Sequence, residues 1–230
     1  MRIAILEAGS PPERLAGFPS YGAMTARLLG PAHACTILDV RAGRLPDRPD
    51  AFEAYAITGS AAGVYDPLPW IAPLVAFVRA VPPDRPLVGI CFGHQIMAEA
   101  FGGRAERSAK GRALGLHAYA VRERAPFMDD AAQIAVAAFH QDQVVALPPA
   151  ARILAASAFT PHAMLAYADR AAVSVQFHPE FEPAYTRALI AGHADARADP
   201  ERADAALASL DAPDDRVRVG GWIRRFLEAG

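Results

Sequence analysis

Cysteine is scarce in this chain: only Cys35 and Cys91 occur among 230 residues. Two thiols make no disulfide framework, and a chain of this length buries enough apolar surface to fold without staples. Long hydrophobic runs are also missing. No stretch approaches the roughly 20 apolar residues that cross a bilayer. The apolar run at the N-terminus meets a charge at Glu7, too soon for the hydrophobic region of a signal peptide. Charge of one sign is missing as well. The formal net charge is −2, so no large electrostatic term draws the chain to nucleic acid or to an anionic membrane. There is no block of like charges and no internal repeat. These absences lead us to expect a cytoplasmic protein with neither nucleic acid nor membrane as partner, in a reducing compartment where a free thiol survives.

What is present is an ordinary globular composition, 53% hydrophobic and 21% charged, ordered by period and breaker. Short β-prone runs are read at Arg2 to Leu6, Cys35 to Val40, Ala54 to Thr58 and Leu87 to Ile90. Helical spacing is read at Tyr21 to Leu29, Pro69 to Ala80 and Gly93 to Phe101. Strand and helix alternate, which predicts a parallel sheet covered on both faces. Further strand-like runs follow at Leu114 to Val121, Gln133 to Ala138, Arg152 to Ala156, Met164 to Tyr167 and Ala172 to Gln176. They suggest an added antiparallel or mixed segment. The expected fold class is α/β, a three-layer sandwich with a mostly parallel central sheet flanked by helices, plus a small antiparallel β segment. One domain is expected over residues 1–230, with a core of about 1–190 and a helical extension of about 191–230. That extension reads as interrupted by an acidic, loop-like stretch from Asp195 to Gly221, with breaks at Pro213 and Gly220-Gly221.

The most informative segment is Gly89-Ile-Cys91-Phe-Gly93-His-Gln95. A β run ends at the cysteine, glycines stand two residues to either side, and a helix begins at once. A sharp strand-to-helix turn needs small neighbours, because its central residue is strained and the flanking chain packs close. Such a turn puts the sulfur at the carboxyl edge of the sheet and at a helix N-terminus, which favours the thiolate. The Phe92 amide is then placed to hold a developing oxyanion. A lone cysteine is more often simply buried; the glycine frame is what sets Cys91 apart, and Cys35, which lacks one, is read as structural.

A nucleophilic thiol needs a base, and the base needs a third group to fix its ring. Of seven histidines, the best placed is His178, in Phe177-His178-Pro179-Glu180. If the chain stays extended through Pro179, His178 and Glu180 project to the same side, and the carboxylate can hold one ring nitrogen. A surface pair at a strand end is the plainer alternative. His94 is expected beside the nucleophile but facing away from it. His33, His117, His162 and His193 have no convincing companions.

The two segments together resemble the class I glutamine amidotransferases, whose elbow reads Gly-x-Cys-x-Gly-x-Gln and whose second signature is His-Pro-Glu. Ile57-Thr-Gly59-Ser60, followed by Trp70, looks like the family's early glycine turn. His140-Gln141-Asp142-Gln-Val144 looks like the loop over the substrate in the glutaminase domain of guanosine monophosphate synthetase. The resemblance implies attack of a Cys91 thiolate on the side-chain amide of glutamine, departure of ammonia, and hydrolysis of a γ-glutamyl thioester. It implies His178 as base and then acid, Glu180 as its orienter, and oxyanion donors from Phe92 and the Gly59-Ser60 turn. Substrate contacts from Gln95, His140, Gln141 and Asp142 are implied too. No metal and no other cofactor is implied.

Two departures bear on substrate. Phe139 stands where the family often has a small or polar residue, and Ser60-Ala61-Ala62-Gly63 replaces a turn richer in glycine and proline. The stretch after Glu180 is short for a synthetase domain, so an ammonia acceptor is expected on a separate synthetase chain. Plant γ-glutamyl peptidases resemble the same elbow and the His-Gln-Asp stretch, and a stand-alone peptidase acting on γ-glutamyl compounds such as glutathione is the second reading. A non-catalytic regulator that binds a γ-glutamyl ligand is the third.

Overall fold

The computed structural model describes residues 1–229. Eleven strands and seven α-helices follow one another along this stretch. The strands are β1 (Arg2–Glu7), β2 (Ala34–Asp39), β3 (Ala54–Ile57), β4 (Leu87–Ile90), β5 (Arg104–Arg107), β6 (Ala113–Val121), β7 (Gln133–His140), β8 (Asp142–Ala146), β9 (Ala151–Ala156), β10 (Met164–Tyr167) and β11 (Ala172–Val175). The helices are α1 (Tyr21–Leu29), α2 (Ile71–Ala80), α3 (Phe92–Ala100), α4 (Pro183–Ala191), α5 (Ala194–Ala198), α6 (Pro200–Ser209) and α7 (Arg216–Ala229).

Nine strands form one sheet in the order β2-β1-β3-β4-β11-β10-β9-β6-β7. From β2 to β11 every pairing is parallel, and from β11 onward every pairing is antiparallel. The parallel strands carry continuous apolar runs. β3, β4 and β11 are buried at every residue, as expected of strands with helices on both faces. One face packs Trp222 and Ile223 of α7 and Leu28 and Leu29 of α1 against Ile3, Ile5 and Val88. The other packs Leu74, Phe77 and Val78 of α2 and Ile96 and Met97 of α3 against Leu6, Tyr55 and Ile57. The α/β layers with a parallel centre are therefore present. The small antiparallel piece is a separate pair, β5 with β8.

The structure corrects several expectations. The middle strands extend the main sheet rather than forming an appended segment. β5 and β8 were not expected as strands. Arg104-Ala-Glu-Arg107 buries only Ala105, so its sequence carries no apolar alternation to betray it. The stretch from Asp195 to Asp215 is largely helical, in α5 and α6. The Asp199 carboxylate caps α6 by accepting from the Arg202 amide at 3.1 Å. Gly220-Gly221 breaks nothing, because α7 runs through it. A β-carbon at 220 would stand 2.9 Å from Leu28 Cδ1, so the glycine lets α7 lie close on α1, and packing outweighs its weak helix propensity. No helix among the described residues is long and apolar enough to cross a membrane.

Candidate active site

The parallel strands β1, β3, β4 and β11 end on one edge of the sheet, and the predicted residues gather there. β4 stops at Ile90 and α3 starts at Phe92, leaving Cys91 alone to make the turn. Its backbone has φ 52° and ψ −100°. Among the described residues it is the only non-glycine with positive φ, a strained conformation that the surroundings must enforce. Two clamps do so. The Cys91 amide donates to the Val175 carbonyl of β11 at 2.8 Å, and the Gln95 amide donates to the Cys91 carbonyl at 3.1 Å. The flanking glycines allow the approach. A β-carbon on Gly93 would overlap the Ile57 carbonyl, and one on Gly89 would lie 2.6 Å from Met97 Sδ. The amides of Phe92 and Gly93, at the first turn of α3, have no intrahelical acceptor. The Phe92 ring turns inward onto Trp70, with ring centres 5.4 Å apart, and so presents its amide rather than its side chain.

His178 follows the end of β11, and its amide donates to the Ala137 carbonyl of β7 at 2.9 Å. Its ring Nδ1 lies 2.8 Å from Glu180 Oε1. The expected extended path through Pro179 is not the one taken. Pro179 and Glu180 form a turn, closed by the Phe181 amide on the His178 carbonyl at 3.4 Å. The turn swings Phe181 under the imidazole, and the two rings stack at 4.1 Å between centres and 4° between planes. The ring is thus held at its edge by a carboxylate and on its face by an aromatic. Both side chains are almost wholly buried. Burial works against the imidazolium, but the Glu180 charge and then Cys91 outweigh it and push the His178 pKa up to about 10.

Gly59 lies close to both Cys91 and His178. A β-carbon there would be 3.3 Å from His178 Cε1 and 3.8 Å from Cys91 Cβ. Cys91, His178, Gly59, Ser60, Gln95, His140, Gln141 and Asp142 all line one cavity of about 550 Å³. Of the predicted site residues, Phe92 and Glu180 stand behind that wall. Gln95 points its Nε2 to the Asp142 carbonyl at 2.9 Å and to Gln176 Oε1 at 3.2 Å. Its amide nitrogen thereby holds the elbow helix to the 140–142 corner. That corner is tighter than the loop expected, since β7 ends at His140 and β8 begins at Asp142. His140 is buried with Nδ1 at 3.2 Å from the Asp142 carbonyl, and burial, aided by the nearby His178 charge, lowers its pKa to about 3. Asp142 Oδ2 accepts from the Tyr65 hydroxyl at 2.8 Å.

His94 faces away from the cavity. Its Nδ1 lies 2.8 Å from Ser174 Oγ on β11, and burial lowers its pKa to about 3. His162 places Nδ1 2.9 Å from the Val144 carbonyl. Cys35 is half-buried on β2. Among the described residues no three histidine, cysteine or acidic side chains gather as metal ligands.

Three features escaped the sequence reading. Tyr21, at the start of α1, lines the cavity and accepts from the Tyr185 hydroxyl at 3.1 Å. Phe181 supplies the stacking face, a role its position directly after the His-Pro-Glu run could have suggested. His193, dismissed as lacking companions, lines the cavity with its ring edge-on to Phe139, ring centres 5.2 Å apart. Arg112 lies over the same Phe139 ring at 5.3 Å and donates to Asp195 of α5 at 2.8 Å. Phe139 is therefore met by Arg112, just before β6, which Asp195 of α5 holds, and by His193, between α4 and α5. No local pattern around His193 announces this.

Comparison with known proteins agrees with the geometry. The family described as glutamine amidotransferase class-I matches residues 61–191. Gamma-glutamyl peptidase 4 of Arabidopsis thaliana is 30% identical over 148 residues, 60% of this chain and 59% of that protein. A GMP synthase [glutamine-hydrolyzing] of Thermus thermophilus is 38% identical over 130 residues, 56% of this chain and 24% of the synthase. The chain thus spans less than two thirds of either relative. Among solved structures, a glutamine amidotransferase from Thermotoga maritima superposes with TM-score 0.79 at 20% identity, covering 100% of this chain and 97% of that one. One from Methylobacillus flagellatus superposes with TM-score 0.71 at 20% identity, covering 100% and 92%. With more than half of its length matched by the family, the chain belongs to the class I glutamine amidotransferases.

Proposed function

We propose that this protein hydrolyses a γ-glutamyl carbon–nitrogen bond through a thioester on Cys91, with free glutamine as substrate and ammonia and glutamate as products. The observation that carries the reading is the 2.8 Å contact from Glu180 Oε1 to His178 Nδ1. It leaves the other ring nitrogen for the thiol, in a ring whose charge is supported by buried neighbours. Cys91 gives its proton to His178, and the thiolate attacks the γ-carbonyl carbon. The oxyanion takes hydrogen bonds from the Phe92 amide and the Gly59-Ser60 turn. Collapse breaks the carbon–nitrogen bond, and the leaving nitrogen takes the proton back from His178. Water, deprotonated by the same imidazole, then cleaves the thioester and restores the thiol. Gln95 and the 140–142 corner hold the glutamyl portion.

We read residues 1–190 as the catalytic core and the following helices as an extension of the same domain, in a reducing, cytoplasmic setting. A separate synthetase chain would receive the ammonia. A second reading, a stand-alone γ-glutamyl peptidase, draws support from the cavity of about 550 Å³ and its Phe139, Arg112 and His193 corner, which leaves space beyond a glutamine side chain. The test is a panel of glutamine, glutathione and other γ-glutamyl amides offered to the purified chain, with ammonia and glutamate measured. Release of ammonia from glutamine supports the first reading. Glutamate released from peptides alone moves the second to the front, and no turnover of any member removes both.

A further inference from the structure

The catalytic cavity holds one more charged group than the amino-acid end of glutamine can use. Two arginines and two aspartates line it: Arg107, Arg112, Asp66 and Asp142. Arg107 ends β5, is exposed, and stands opposite Asp142 in the pairing of β5 with β8. Asp142 gives one oxygen to the Tyr65 hydroxyl, and Asp66 gives one to the Gly63 amide at 2.8 Å. A glutamyl group laid along the 140–142 corner meets there a cation for its carboxylate and acids for its ammonium. Arg112 is left over.

That arginine is held in place without being used up. Its Nε donates to Asp195 at 2.8 Å, and its guanidinium lies over the Phe139 ring at 5.3 Å. These contacts engage one of its five N–H donors. Its two Nη atoms have no hydrogen-bond partner among the described residues, and they are not among the buried atoms that lack one, so they reach solvent. His193 stands against the same ring. Its Nδ1 accepts from the Asp195 amide at 3.2 Å, and burial, then the Arg112 charge, lower its pKa. The neutral ring therefore carries its proton on Nε2, which is accessible in the same way. A carboxylate at this corner meets an oriented guanidinium fork and an imidazole N–H, beside the apolar Leu189 and Phe139. Nothing on glutamine answers it, because the nitrogen that leaves glutamine carries only hydrogen.

We propose that this corner seats an α-amino acid as acceptor, so that the γ-glutamyl group passes from Cys91 to an amine as well as to water. The acceptor's carboxylate takes the Arg112 Nη atoms and His193 Nε2, and its side chain lies on Phe139 and Leu189, all in the wall that Cys91 shares. The proposal rests on the thioester of the catalytic reading above. With ammonia gone, the neutral amine of the acceptor attacks the thioester carbon. A proton passes from that nitrogen to His178, a carbon–nitrogen bond forms and the carbon–sulfur bond breaks. His178 then returns the proton to the Cys91 sulfur. The sum is glutamine plus an amino acid giving a γ-glutamyl amino acid plus ammonia, with no oxidant and no other reactant needed.

The test gives the full wild-type chain glutamine together with L-alanine or L-alaninamide, and measures γ-glutamyl products by mass spectrometry alongside glutamate and ammonia. We expect γ-glutamylalanine, in a share that rises from about pH 7 to 9 as more of the amine is neutral. L-Alanine should accept about ten-fold better than L-alaninamide or more, the worth of a hydrogen bond to a charged group. The amide's amine is the less basic of the two and has more of its neutral form, so only recognition of the carboxylate reverses that order. Arg112→Gln should cut the ratio of transfer to hydrolysis by about ten-fold for the same reason. Should that variant fold poorly, the comparison of acceptors in the wild type decides alone. Glutamate released with no γ-glutamylalanine at high alanine overturns the proposal and leaves the catalytic reading standing. Equal use of the two acceptors overturns the carboxylate site. A chain that releases neither glutamate nor any γ-glutamyl product from glutamine rejects the thioester from glutamine, and the transfer with it.

Discussion

Gly93 and Ile57 meet so closely that no side chain fits between them: a β-carbon at 93 would overlap the Ile57 carbonyl oxygen. The contact joins the first turn of α3 to the end of β3 and seats Cys91 beside the Gly59-Ser60 turn. Gly93→Ala must push the two elements apart. Its expected cost is about 3 kcal/mol of stability, at the upper end for overpacking. Chemical denaturation would measure it, and a midpoint equal to the wild type's would refute the close-packing account.

Cys91→Gly should separate stability from activity. Glycine accepts φ 52° and ψ −100° with far less strain than a residue with a β-carbon. We expect loss of all thioester chemistry together with a gain of about 1 kcal/mol. For a chain of this size that gain amounts to a rise of about 2–4 °C in Tm. Cys91→Ala should be equally inactive without the rise. Equal melting of the two variants would mean that the elbow stores no strain.

Glu180→Gln keeps the shape of the orienting side chain and removes its charge. The imidazolium then loses its main support, since Glu180 is the leading contribution raising the His178 pKa. Hydrolysis and the alkylation of Cys91 at pH 7 should both fall by about 10- to 100-fold, within the range of general acid–base catalysis. An unchanged alkylation rate would show that Glu180 is a bystander.

Two buried histidines predict acid sensitivity. His94 and His140 have pKa values lowered to about 3 by burial, so between about pH 6.5 and 3 the unfolded chain binds protons that the folded one refuses. The contribution of these two histidines to stability is then full above about 6.5 and falls as the pH drops. By pH 5 each contributes a loss on the order of 2 kcal/mol. His94→Asn should flatten the fall by its share, read as Tm against pH. A profile level from pH 7 to 5 would contradict this assignment.

Much of the fold was legible because its signals are local. The apolar runs of β1, β3, β4 and β11 and the breakers that end α1 and α3 are read along the chain. The Gly-x-Cys-x-Gly frame was equally plain, since a strained turn between strand and helix constrains its own neighbours. The His178–Glu180 contact was anticipated for a partly mistaken reason: a turn at Pro179, rather than extended chain, brings the two side chains together. β5 escaped because its strand buries one residue in four. Tyr21 and His193 escaped because what makes them part of the site is a fold-level approach, from the first helix and from the junction of α4 and α5, with no periodicity to report it.

The Arg112–Phe139–His193 corner is built partly by chain that follows the stretch matched by the family, which ends at residue 191. Two relatives could agree at every position of both signature motifs and still admit different molecules, because the doorway is framed by a different stretch of chain from the hearth. If the proposed function holds, grafting the C-terminal helices of one relative onto another should change which γ-glutamyl compound is taken while leaving Cys91 and His178 untouched.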